Sequence, residues 1–118
     1  MHTSTAFTQD TQATIATLCR QLTQATGQTV TADYGSTDCG LFDDVLLSLA
    51  SPRSFHSLDC HPDTGHPVPL VTLLSTPDTP GLFVVLGGAG DPVLSGVSLV
   101  HAAQAARFTA MRSYGSMG

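Results

Sequence analysis

The side chains best equipped for chemistry in this 118-residue chain lie in one stretch, HSLDCHPDTGH, which carries His56, Asp59, Cys60, His61, Asp63 and His66. Imidazole, thiolate and carboxylate are all zinc ligands, so a loop folding His56, Cys60, His61 and His66 together would make a metal site. The spacing matches none of the usual closely paired ligand patterns, and only one cysteine falls inside it, so the stretch reads first as a polar surface loop. A nearby imidazole such as His66 would also lower the Cys60 thiol pKa and produce a nucleophilic thiolate, which is the basis of a small metal-dependent or Cys/His hydrolase reading. Nothing in the sequence supplies the orienting carboxylate or oxyanion donors that such catalysis needs.

Two other stretches invite a chemical reading and lose it on spacing. GGAGD, Gly87 to Asp91, has the glycines of a phosphate loop, but it is followed by Pro92 in place of a helix and the chain has no lysine. It reads as a hairpin turn. Asp43 and Asp44 are adjacent in a strand-like segment, so their side chains point to opposite faces and cannot share one proton or one metal. The expectation is therefore a protein without cofactor, bound metal or catalytic residues.

The elements that would carry these residues are legible from periodicity. Thr8 or Asp10 can cap a first helix, along which Ile15, Leu18, Cys19 and Leu22 fall on one face before Gly27 ends it. Its outer face is threonine and glutamine, so its stability must come from packing. Gln28 to Tyr34 alternates as a short strand. In Leu41 to Ala50, Val45, Leu47 and Leu49 share one face while Phe42, Leu46 and Ser48 share the other; helix is the competing assignment. Phe55 to Cys60 is a weaker strand candidate. Residues 61–80 hold five of the seven prolines. Within them, 68–75 reads either as a short helix started by Pro67 or Pro69 or as an edge strand.

Leu82 to Val100 is the clearest unit, two apolar β-prone runs around the glycine turn, with a bulge expected at Gly96. A final helix beginning near His101 would turn Ala105, Phe108 and Met111 inward. The fold expected is α+β, a small antiparallel sheet of about five strands between an N-terminal and a C-terminal helix, order α-β-β-β-(α)-β-β-α. It forms one domain over 1–118, with 1–7 and 115–118 as flexible ends.

Composition narrows the function class. Only 11% of residues are charged, against about 25% in a usual globular protein, and lysine, glutamate, asparagine and tryptophan are absent. A net charge of -5 with four arginines gives no surface to neutralise phosphates, so nucleic acid is not an expected partner. No run approaches the ~20 apolar residues of a membrane span and no secretory signal opens the chain, so a cytoplasmic protein is expected. The three cysteines read as reduced thiols. Sparse charge and ample apolar strand surface lead to an expected homodimer, or a groove for a partner's extended segment.

The helix around Ile15 to Leu22, the stretch CGLFDDVLLSLA, the hairpin and the terminal helix, in an acidic chain of this length, resemble in layout a class I type III secretion chaperone. No diagnostic motif carries the resemblance. It implies a non-enzymatic homodimer that holds an apolar segment of a partner, such as a secreted effector, in non-globular form. The holding surface would draw on Leu18, Leu22, Val30, Phe42, Val45 and Leu47, and the dimer seam on Leu70, Val71, Leu73 and Leu74. The remaining alternative is an assembly or scaffold component in which uncovered strands self-associate.

Overall fold

A computed structural model of the chain describes residues 7–36, 42–50, 69–75, 78–79, 81–88 and 90–116. Helix α1 spans Gln9–Thr26, five strands follow as β1 (Val30–Ser36), β2 (Asp43–Leu49), β3 (Val71–Ser75), β4 (Phe83–Gly87) and β5 (Pro92–Val97), and helix α2 spans Leu99–Ser116. The strands pair in chain order β1-β2-β3-β4-β5, each antiparallel to the next. This is the expected α+β sheet between two terminal helices, with order α-β-β-β-β-β-α. Within the stretch 68–75, read as helix or edge strand, Val71–Ser75 form strand β3, which occupies the centre of the sheet. Its β-branched, apolar run VTLLS suits a central strand paired along both edges, and Pro69 lies just before it, where no ladder hydrogen bond is lost. The strand candidate Phe55 to Cys60 lies outside the described residues.

Alternation sorts β2 and β4 strictly. In β2, Asp43, Val45, Leu47 and Leu49 are buried while Asp44, Leu46 and Ser48 are half-buried. Cross-strand partners share a face, so the pairs Val30 with Leu49, Val45 with Leu73, Leu47 with Val71 and Leu73 with Val85 build one continuous apolar surface. Both helices cover that surface. Ile15, Leu18, Cys19 and Leu22 of α1 and Ala102, Ala106 and Ala110 of α2 join it in a single core. α1 lies over β1, and α2 over β3, β4 and β5.

The two helices meet the sheet differently. α1 presents large side chains, and its start and end follow the expected chemistry: the Thr8 hydroxyl accepts from the Thr11 N–H, and Gly27, at φ 72°, closes the last turn through its N–H to the Thr23 carbonyl. α2 presents alanines at Ala102, Ala106 and Ala110 with Thr109 beside them, so its backbone can lie close to the sheet. Phe108, expected inside, is 66% exposed, because the buried face follows the alanines, nearly half a turn away from Phe108. Ala105 and Met111 are partly buried against the core as expected. α2 also runs on through Gly115 to Ser116, within the stretch expected to be loose.

Polar groups near the core are bonded. The Thr23 hydroxyl donates to the Cys19 carbonyl at 2.8 Å and accepts from the Val30 N–H at 3.0 Å, locking the end of α1 to the first residue of β1. The buried Ser75 hydroxyl donates to the Leu82 carbonyl across the β3–β4 connection, and the Tyr114 hydroxyl donates to the Thr26 carbonyl, tying the last turns of the two helices together.

The β4–β5 connection is a tight turn, as GGAGD predicts. The Gly87 N–H donates to the Asp91 carbonyl, the Gly90 N–H donates to the Gly87 carbonyl, and Gly90 takes a φ of 88° that favours glycine. The register of β5 slips against β4 between Phe83 and Val85 and again between Val85 and Leu86. Gly96, at φ 66°, sits in the first irregularity, the expected bulge.

Phe7, assigned from sequence to the frayed end, is 3% exposed and packs edge-on to Tyr34 with ring centroids 5.5 Å apart, beside Phe83 at 6.0 Å. It closes the core at the start of α1. Phe7→Ala should therefore cost about 3–5 kcal/mol in urea unfolding, whereas an unstructured residue would cost almost nothing. Glycine substitutions should split by site. A Cβ at Gly88 would lie 2.6 Å from the Pro69 carbonyl oxygen, so Gly88→Ala should destabilise by about 1–3 kcal/mol. Gly115, helical and with open space around it, should gain up to about 1 kcal/mol as alanine; equal midpoints for the two variants would contradict this packing.

Candidate functional site

With both helices on one side, no other element among the described residues covers the opposite face of the sheet. Its side chains follow from register. Asp33 of β1 pairs with Leu46 of β2, Leu46 with Thr72 of β3, and Thr72 with Leu86 of β4. The next row runs from Gly35 through Asp44 and Leu74 to Val84. Leu46, Leu74, Val84 and Leu86 thus surround Thr72 as a contiguous apolar patch, each half-buried where their strand neighbours facing the helices are fully buried. At one end of this patch, beside the β3–β4 connection, Phe42, Leu74, Leu82 and Val84 line an open apolar pocket of about 130 Å³, closed on its far side by Gly96. That volume accepts one aliphatic side chain.

Charge is distributed unevenly between the layers. Asp33, Asp43, Asp44, Asp78 and Asp91 belong to strands or their connections and only Asp10 of the described carboxylates to a helix, whereas Arg20, Arg107 and Arg112 all belong to helices. Among the described residues the sheet carries no cation. A second concavity, about 320 Å³ between the outer sides of the helices, is lined by Thr14, Thr17, Gln21, Gln104 and Arg107 with Leu18 and Ala103. It is mostly polar, and no cluster of titratable groups enters it.

The structure places the candidates from sequence as follows. Leu18, Leu22, Val30, Val45 and Leu47 are at most 5% exposed and lie in the chain's own core, where they hold the sheet against the helices and present no surface. Phe42 is half-buried and borders the pocket. Leu70, Val71 and Leu73 are fully buried in the same core, and Leu74 alone of that group is on the open face. His56, Cys60, His61 and His66 lie outside the described residues. Among the described residues, no group of histidine, cysteine and carboxylate side chains is arranged to hold a metal ion. Asp43 and Asp44 do face opposite sides: Asp43 is 6% exposed toward the helix side, and Asp44 is half-buried on the open side. Leu74 was expected in the dimer seam, whereas Val84 and Leu86 were not singled out from sequence, although the signal was present: apolar residues at alternate positions on both faces of VTLLS and FVVLG mark strands whose second face is also apolar.

Reactivity is muted where it can be assessed. Burial pushes the Cys19 thiol up from its ordinary 9.0, against the lowering pull of the neighbouring Arg20 guanidinium. Burial likewise raises the Tyr34 phenol, with a further rise from the Cys19 charge. Exposed apolar side chains also occur outside the sheet, notably Val100 and Phe108 on α2, where the Arg112 guanidinium lies 6.0 Å from the Phe108 ring centroid. No helix among the described residues is long and apolar enough to cross a membrane.

Comparison with protein-family models, with curated proteins and with solved structures finds no match for this chain.

The raised thiol and phenol make an alkaline prediction whose sign is fixed. Both groups favour the protonated form in the folded state, so the stability they contribute is complete below the unfolded value and is lost as pH rises from there through the raised folded value. The urea midpoint should fall above pH 9.0, and Cys19→Ala should remove the first part of that fall while leaving the later, tyrosine part. Cys19 should also alkylate slowly at neutral pH in the native protein and fast in urea; equal rates would show that the thiol is not buried.

Proposed function

We propose that this chain is a non-enzymatic binding protein that holds an apolar segment of a partner protein on the open face of its sheet. One observation carries the reading: a contiguous patch of Leu46, Leu74, Val84 and Leu86, backed by a rigid core and ending in a pocket sized for one side chain. Contiguous apolar surface on a soluble domain marks interaction, because leaving it in water costs roughly 25 cal/mol per Å². The surface requires no catalytic group, and an extended segment fits it by placing alternate side chains on the sheet.

The layout resemblance extends this reading to a dimeric secretion chaperone acting in the cytoplasm, which keeps the amino-terminal part of a secreted effector unfolded until export. In that role the partner is held by burial alone and released without chemistry. The exposed Val100 and Phe108 of α2 are then available for self-association, away from the sheet.

The test is a native co-purification followed by mass spectrometry and limited proteolysis. A specific partner should be recovered with one segment protected. Leu74→Arg and Leu86→Arg should each abolish the protection, while Phe108→Ser should retain it, with circular dichroism confirming that all variants fold. Protection unchanged by both arginine substitutions would remove the open face as the holding surface. Sedimentation should give the mass of two chains for the protein alone, and a monomer at all concentrations would count against the chaperone-like dimer.

A further inference from the structure

The open face is more than apolar, and its surroundings select among the segments it could hold. Resting on the binding reading above, we infer that the occupant is a segment of another protein with an apolar centre and arginine or lysine at its ends, and not a second copy of this chain. The argument is electrostatic and positional. Asp33, exposed on β1, is the direct cross-strand neighbour of Leu46 and so stands at one margin of the patch. Asp78, exposed in the β3–β4 connection, adjoins Thr79, which lines the apolar pocket at the patch's other margin. No cation among the described residues belongs to the sheet layer, since Arg20, Arg107 and Arg112 are all carried by the helices. A patch bordered by carboxylates at two margins favours a ligand whose ends are basic.

A second copy fits poorly for the same reason. Stacking two such faces would bring together like-charged margins on chains that each carry a net charge of -5, and like-charge juxtaposition opposes association. An acidic or neutral segment would bury the same apolar area but gain nothing from Asp33 and Asp78. The pocket bordered by Phe42 and Leu82 supplies the anchor for one bulky aliphatic side chain of the segment, and the carboxylates set its polarity.

Three labelled synthetic peptides with one common valine-leucine centre, flanked by arginine, glutamine or aspartate, test this on the full chain by fluorescence anisotropy. The arginine-flanked peptide should bind tightest, and its advantage should shrink as salt is raised, because exposed charge pairs are screened. Asp33→Asn and Asp78→Asn, both at exposed positions, should each weaken it roughly two- to fivefold and leave the glutamine-flanked peptide unchanged. Leu74→Arg should weaken all peptides that bind. Equal binding of the arginine and glutamine peptides would overturn the charge inference while leaving the holding of apolar segments intact. Binding of none of the three would remove the holding function itself. Conversion of a dimer to a monomer by Leu74→Arg would show that this face receives a second copy, which also overturns the inference.

Discussion

Everything in this structure depends on burying one face of a five-stranded antiparallel meander against two helices. The apolar residues of that face, from Val30 through Val45, Leu47, Val71 and Leu73 to Phe83 and Val85, are nearly inaccessible and join the helices in one core cluster. Each fully buried aliphatic side chain stabilises by about 1.5–3 kcal/mol, so this layer outweighs the isolated polar contacts by a wide margin. α1, rich in threonine, has little helix propensity of its own, and α2 draws some from its alanines. They are helices in this protein because the sheet gives their apolar faces a place to pack.

The scarcity of charge has a structural counterpart. Where another domain would use glutamate and lysine pairs, this one uses hydroxyls bonded to nearby backbone. Thr14, Thr17, Thr23 and Thr26 each return a bond to a carbonyl four residues earlier in α1, and Thr23 also receives the Val30 N–H. Threonine is an indifferent helix former, but here its hydroxyls meet backbone groups at the helix-to-strand junction that would otherwise be only partly satisfied. Among the described residues, no cation belongs to the sheet layer that carries most of the carboxylates.

One-sided burial has a functional consequence. A sheet covered on both faces offers a partner only its edges, whereas both helices of this one pack on the same face, and the second face is apolar at its centre. β5 is bulged twice and begins at Pro92, which blunts its edge against further strand pairing and directs attention to the face. The side chains that hold the sheet and those that form the open patch alternate along the same strands. The rigidity of one set therefore fixes the positions of the other, as with Val85 against Val84 and Leu86 in β4.

Local pattern by itself determined the α1 helix with its Thr8 and Gly27 ends, the alternation of β2, the glycine turn, the Gly96 bulge and the α+β order, because each rests on interactions within a few residues of chain. It also placed Asp43 and Asp44 on opposite faces. Tertiary structure decided the rest. Within the stretch 68–75, Val71–Ser75 became a central strand because β2 and β4 both pair with it, which local propensity cannot register. Phe7 and Phe108 exchanged roles, the first entering the core and the second leaving it, because a small-residue face of α2 packs against the sheet and the ring at the start of α1 meets Tyr34 and Phe83. Most of all, alternation shows that a strand has two faces but not which one the helices will cover. That choice put Val45 and Leu47 inside and left Leu46, Leu74, Val84 and Leu86 as the surface where the function is to be sought.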